Sequence, residues 1–284
     1  MKEEKVVKRF EGKVALITGA ARGQGRSHAL RFAEEGAHIV AIDICSQIDT
    51  VNYAMSRPAD LDETVRLIEN IGGRIVAEKV DVRDGAALRS AVDRGVAQLG
   101  RLDYVMANAG ILPGIGEDDP KVAAFDDAVD VMLKGVYHTV EASIPALTHH
   151  GAGGAVVITS SAIADRSVLS PSFRTMNHGV AGYTAAKSGL IGLMHYYAKT
   201  LAEKNIRVNA VLPTGVATPM VTDGAVERYW NAFPEVGAAV GNALPGVDMI
   251  ESSDVTEAMV YLCSESGRYV TGISLPVDAG FLVQ

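Results

Sequence analysis

Tyr183 and Lys187 stand four apart in Tyr183-Thr-Ala-Ala-Lys187. On a helix that spacing projects a phenol and an ammonium from one face. A phenol with its ordinary pKa of about 10 is a poor acid–base catalyst at neutral pH. A neighbouring ammonium, or the positive ring of an oxidised nicotinamide, favours the phenolate and brings that pKa down. Ser161, ending the run Thr159-Ser-Ser161, supplies a hydroxyl able to hold a substrate oxygen beside the phenol. Alone, a tyrosine and lysine at this spacing are ordinary surface or packing residues. A second constellation gives them weight: Thr18-Gly19-Ala-Ala-Arg22-Gly23-Gln24-Gly25 follows an apolar run and opens a helical one. Glycines there let the backbone turn tightly against a pyrophosphate, and the helix N-terminus offers free N–H groups and positive potential. Asp43 follows at the end of the next apolar run, roughly 20 residues on, where a carboxylate accepts bonds from adenosine ribose hydroxyls and repels the 2′-phosphate of NADP. Arg22 pulls the other way, since a guanidinium can pair with that phosphate. Close repulsion excludes a ligand that a mobile arginine only permits, so the expected cofactor is NAD. The chemistry implied is hydride transfer between nicotinamide and an alcohol or carbonyl.

These groups need a scaffold, and the hydropathy pattern provides one. Apolar runs rich in β-branched residues fall at 14–18, 38–43, 74–80, 104–107, 155–159, 207–212 and 274–277. Helical patterns fall between them at 25–35, 61–71, 86–99, 125–147, 182–204 and 254–264. Runs that are apolar throughout, without alternation, indicate strands buried on both faces of a parallel sheet. The spacing predicts a single doubly wound α/β domain of Rossmann type, with a mostly parallel seven-stranded sheet over residues 1–284. The charged residues 1–12 are expected to be flexible.

Composition narrows the partners. A net charge of −8 with no lysine- or arginine-rich run argues against nucleic acid and anionic membrane surfaces. No apolar stretch is long enough to span a bilayer, and the N-terminus lacks a secretory apolar core, so a cytoplasmic location is expected. Cys45 and Cys263 are far apart, and His138, His149 and His150 have no companions at ligand spacing. No metal is expected, and the cysteines read as reduced fillers.

The ordered motifs together resemble the short-chain dehydrogenase/reductase family, from about residue 10 to the end of the chain. They are TGxxxGxG at Thr18–Gly25, Asp43, Asp81 after the third strand, Asn108-Ala109-Gly110 after the fourth, Ser161, YxxxK at Tyr183–Lys187 and Pro213-Thr-Gly-Val-Ala-Thr218. The resemblance implies Tyr183 as general acid–base, Ser161 at the substrate oxygen, and Lys187 on the nicotinamide ribose. It implies cofactor contacts from Gly19, Arg22, Gly23, Gln24 and Gly25 at the phosphates, and from Asp43, Ile44, Asp81 and Val82 at the adenosine. Asn108, Ala109 and Gly110 would line the middle, and Pro213, Val216, Thr218 and Met220 the nicotinamide. The run Gly19–His28 and Asp43-Ile-Cys45 resemble, more narrowly, the carveol-dehydrogenase-like, mycofactocin-coupled actinobacterial branch. That likeness implies an extra segment near the cofactor, here residues 46–60, a tightly held and non-exchanging NAD, and a separate redox partner. The family further implies a homotetramer.

Two features depart from the family pattern. Met132 stands where an asparagine is expected to support a water-linked proton relay, and a thioether accepts weakly and donates nothing. The stretch from Ser161 to Tyr183 is long, with 166–178 as the insert, in which Phe173 and Met176 are candidates to touch substrate or cover its pocket. Residues 219–247 read as a substrate lid, and Trp230, Tyr229 and Met220 suit an apolar secondary alcohol or ketone of terpenoid or alicyclic type. The alternative, motivated by Met132, is a catalytically impaired NAD-binding sensor or scaffold.

Overall fold

A computed structural model describes residues 8–115 and 121–284. Seven strands form one sheet: β1 (Val14–Thr18), β2 (His38–Asp43), β3 (Ile75–Lys79), β4 (Tyr104–Ala107), β5 (Gly154–Thr159), β6 (Ile206–Pro213) and β7 (Ser274–Val277). Their order is β3-β2-β1-β4-β5-β6-β7, and every pairing is parallel. Parallel neighbours require crossovers, and helices provide them. They are α1 (Gly23–Glu34), α2 (Pro58–Asn70), α3 (Gly85–Leu99), α4 (Ala123–Ala128), α5 (Gly135–His149), α6 (His178–Leu201), α7 (Pro219–Thr222), α8 (Ala225–Ala232), α9 (Pro234–Ala239) and α10 (Ser252–Cys263).

Residues of β1 and β2 alternate between two cores. Leu16 and Ile42 pack with Leu88, Val140 and Met194 of α3, α5 and α6. Ile17 and Ile39 pack with Phe32, Ile68 and Met259 of α1, α2 and α10. Burial on both sides explains why the strands read as unbroken apolar runs. The winding reverses between β1 and β4, and in such sheets that crevice at the strands' carboxyl ends is where ligands sit.

Three local outcomes differ from the pattern reading. Residues 8–12 are anchored through Phe10, which is buried and stacks on Phe32 with ring centroids 4.4 Å apart, and whose N–H reaches Glu35 O at 2.9 Å. The rest of the expected flexible segment, residues 1–7, lies outside the described residues. The helix expected over 125–147 is interrupted by a π-helical turn at Val129–Lys134, which centres the departure on Met132. Helix α6 begins at His178, four residues early, because the Asn177 side chain caps it by accepting the Val180 N–H at 3.1 Å.

Candidate active site

One cleft at the carboxyl ends of the strands gathers nearly all the residues singled out above. Gly19, Arg22, Gly23, Gln24 and Gly25 line it, with Asp43, Ile44, Asp81, Val82, Asn108, Ala109 and Gly110. So do Ser161, Tyr183, Lys187, Pro213, Val216, Thr218 and Met220.

The glycine loop is shaped for close approach. Gly19 sits at φ +71°, and a Cβ at Gly25 would fall 2.0 Å from the Gly19 carbonyl oxygen. Arg22 precedes α1 in extended conformation and makes no side-chain cap, leaving the first-turn N–H groups of α1 open to an anion. Gln24 Oε1 is buried without a partner in the same loop.

Asp43 is buried and already engaged. Its Oδ1 accepts the Cys45 N–H at 3.0 Å and the Ser56 hydroxyl at 2.6 Å, and its Oδ2 accepts the Ala21 N–H at 3.0 Å. Two lone pairs per oxygen leave room on Oδ2 for one more donor, such as a ribose hydroxyl, and none for a phosphate. The Arg22 guanidinium, which also lines the cleft, donates one bond to the Ala54 carbonyl.

Asn108 welds the strand ends. Its N–H donates to Thr18 Oγ1 and its side-chain amide to Thr18 O, each at 3.0 Å, while its Oδ1 accepts from Thr159 Oγ1 at 3.2 Å. The chain of bonds continues to Lys187, whose Nζ donates to Thr159 O at 2.7 Å. The lysine lies over the Tyr183 ring, 5.6 Å from its centroid. Ser161 is buried in the same cleft as Tyr183, and its hydroxyl accepts the Ile163 N–H at 3.3 Å.

Burial governs the titration of this pair. It lowers Lys187 to about 7 and raises Tyr183, with the nearby Ser161 hydroxyl opposing the rise. In the nucleotide-free protein, burial thus holds both groups toward their neutral forms. Met132 is fully buried beside them; a Cβ at Gly110 would sit 3.7 Å from both Met132 Sδ and Lys187 Nζ.

The extra segment after β2 is a strap over this cleft, and its last three residues already form the first turn of α2. Gln47 ties it internally, donating to Val51 O at 2.8 Å and accepting the Met55 N–H at 3.0 Å. Outward, Thr50 donates to Asp127 at 2.7 Å, Tyr53 OH accepts the Leu112 N–H at 3.1 Å, and Asp223 accepts the Ala54 N–H at 2.8 Å. Asp127 also binds Arg83 at 2.8 Å, which pairs with Asp81. Ile48, Tyr53, Met55 and Ser56 of the strap line the cleft. The sequence reading located the segment and missed these contacts.

The far end of the cleft is apolar. Met220, Trp230 and Val240 line it from the region read as a lid, facing Ile111, Leu169 and Phe281. Tyr229 does not line it; its hydroxyl turns outward and donates to Thr175 O at 3.2 Å, holding the lid to the insert. Phe173 and Met176 do not reach the cleft and are exposed, Phe173 by 89%. Among the described residues no cluster of metal-ligating side chains occurs, and no helix is long and apolar enough to cross a membrane. Cys45 and Cys263 are free and buried.

Residues 19–282 match the model of a family described as enoyl-(acyl carrier protein) reductase. An uncharacterized oxidoreductase of Mycobacterium tuberculosis is 48% identical over 275 residues, covering 96% of this chain and 97% of the relative. A (-)-trans-carveol dehydrogenase of Rhodococcus erythropolis is 40% identical over 282 residues, covering 96% and 98%. Among solved structures, a carveol dehydrogenase from Mycobacterium avium in complex with NAD superposes with a TM-score of 0.87 at 44% identity, covering 98% of this chain and all of that one.

Proposed function

The chain belongs to the short-chain dehydrogenase/reductase family, and from that premise we propose that it is an NAD-dependent oxidoreductase that interconverts an apolar secondary alcohol and its ketone, with an alicyclic or terpenoid ring as the preferred substrate. The observation that carries the reading is the chain of hydrogen bonds from the glycine loop through Thr18, Asn108 and Thr159 to Lys187, whose Nζ lies over the Tyr183 ring.

The cleft fits NAD. The Gly19–Gly25 turn is too tight to admit a side chain, the first turn of α1 is uncapped, and Asp43 retains one acceptor position. When bound, NAD would supply the acceptor for the hydride of the alcohol carbon and a positive ring that favours the phenolate. Tyr183 takes the alcohol proton, and Ser161 holds the oxygen in line with it. Lys187 holds the tyrosine from below and faces the ribose, its charge favouring the phenolate when it is protonated. Asp43 bonds the adenosine ribose, and Asp81 and Val82 flank the adenine.

The strap supports retention of NAD between turnovers, because its outward bonds must open before the nucleotide leaves. Re-oxidation of a retained cofactor falls to a separate redox partner, the role mycofactocin would fill. The same reading carries a homotetramer, with the half-exposed Tyr137 of α5 in the contact; mass in solution tests it, and a monomer would contradict it.

Hydride transfer from cyclohexanol to added or retained NAD, followed as reduced-nicotinamide absorbance, tests the chemistry. Tyr183→Phe is expected to lose about 10²–10⁴ in rate while keeping its nucleotide. Wild type and variant equally inactive on a broad alcohol panel, with nucleotide bound to both, would instead favour the sensor or scaffold reading that the buried Met132 motivates.

A further inference from the structure

The wall of the substrate end is completed by the last residues of the chain. Phe281 opens a short 3₁₀ turn, Phe281–Val283, yet is only 2% exposed. It lines the cleft and packs in one cluster with Ile163 beside the catalytic serine, with Tyr183, and with Val240 of the lid region. Three sets of contacts hold the ring in place. Asp278 accepts the Gly280 N–H at 3.0 Å and the Leu282 N–H at 2.9 Å, which curls the turn. The Ala279 carbonyl accepts the Leu244 N–H at 3.0 Å, which ties it to the segment after α9. Arg166, from the insert after β5, donates to the Phe281 carbonyl at 2.7 Å and lays its guanidinium over the ring, 5.1 Å from the centroid.

We propose that Phe281 is a specificity-determining residue that sets the width of the ring pocket, and that Arg166 is the positioning residue that holds it there. The inference rests on the proposed alicyclic-alcohol substrate and adds which residue measures its size. A rigid aromatic wall next to the reacting oxygen admits a single ring and opposes a fused second one. The guanidinium bonds the Phe281 backbone and lies over the ring, so the wall is held against swinging out to accommodate it.

Cyclohexanol and a decalin alcohol serve as the narrow and wide probes. Two readouts are taken: oxidation kinetics, and quenching of Trp230, the sole tryptophan, which lines the same cleft and reports binding without turnover. Phe281→Ala is expected to shift the ratio of kcat/KM toward the decalin alcohol by about tenfold or more. KM for cyclohexanol should rise while kcat and nucleotide content stay near those of wild type. Phe281→Trp is expected to do the reverse, losing the decalin alcohol first. Arg166→Met should reproduce part of the Phe281→Ala shift, Arg166→Lys should restore part of it, and Arg166→Met should add nothing when Phe281 is already alanine. A size preference unchanged in both Phe281 variants would overturn the inference. So would an Arg166→Met effect that persists in the Phe281→Ala background, because that is a general structural loss. If neither alcohol quenches Trp230 nor is oxidised by wild type, the substrate class itself falls, and the wall's assignment falls with it.

Discussion

The nucleotide end and the substrate end of the cleft are held by different means. Around Gly19, Asp43 and Asn108 the fixing bonds join strand ends and adjoining turns, and most involve backbone atoms of the sheet's own framework. Around Phe281, Tyr229 and Asp223 they join separate connecting segments to one another. The first end is a property of the sheet and recognises a constant ligand. The second is assembled from loops laid over that sheet, which lets the pocket change shape without disturbing the chemistry.

If this contrast is real, disturbing the nucleotide end should cost most. Gly25→Ala places a methyl group against the Gly19 carbonyl, where neither backbone can retreat. We expect nucleotide affinity to fall by at least about 100-fold, which is under 3 kcal/mol and within the reach of a single steric clash. Binding titration checks it; a variant with wild-type affinity would break the contrast outright.

Asp43→Asn comes next. It removes a buried charge that accepts three protein donors, so a loss of about 1–3 kcal/mol in stability is expected by denaturant titration. The preference for NAD over NADP should narrow as well.

Lys187 gives a pH signature. Its folded pKa of about 7 lies below the ordinary 10.5, so between those values the unfolded chain binds a proton that the fold does not. Stability of the nucleotide-free protein should therefore rise with pH above about 7, by at most about 1.4 kcal/mol per unit from this group. Tyr183, raised by burial, opposes the trend only above its own ordinary value of about 10. Lys187→Met should flatten the rise in melting measurements across that window, and a slope unchanged by the substitution would count against the buried neutral lysine.

Smaller effects belong to the ties between segments. Tyr53→Phe strands the Leu112 N–H and should cost about 1 kcal/mol, read as faster NAD release by up to about tenfold. Smallest is Arg174→Ala. Arg174 is 64% exposed and pairs with Glu235 of α9 at 3.4 Å, and a surface pair of that kind contributes about 0–1 kcal/mol. A large melting shift there would show that the substrate end is more rigidly built than its loops imply.

Legibility in the sequence followed the same division. The glycine turn, Asp43 and the Tyr183–Lys187 spacing could be read because each depends on neighbours within one or two elements, whereas Asn108, bonded to Thr18 and Thr159 90 and 51 residues away, was legible only through the family's motif order. The strap could be located but its function could not, since the Ala54–Asp223 bond joins positions 169 residues apart. Phe281 left no local signal, because Arg166 lies 115 residues before it. Phe173 and Met176 looked like pocket residues by type, yet the capped turn that carries them faces solvent. The π-helical turn at Met132 was hidden because its apolar pattern fits a continuous helix as well.

The most direct test of the central claim is the nucleotide the protein carries. Protein desalted exhaustively and then denatured is expected to release NAD or NADH in near-equimolar amount, as the proposed binding of the ribose by Asp43 and retention by the strap predict. Release of NADP, or protein that is empty and fails to bind added NAD, would contradict it.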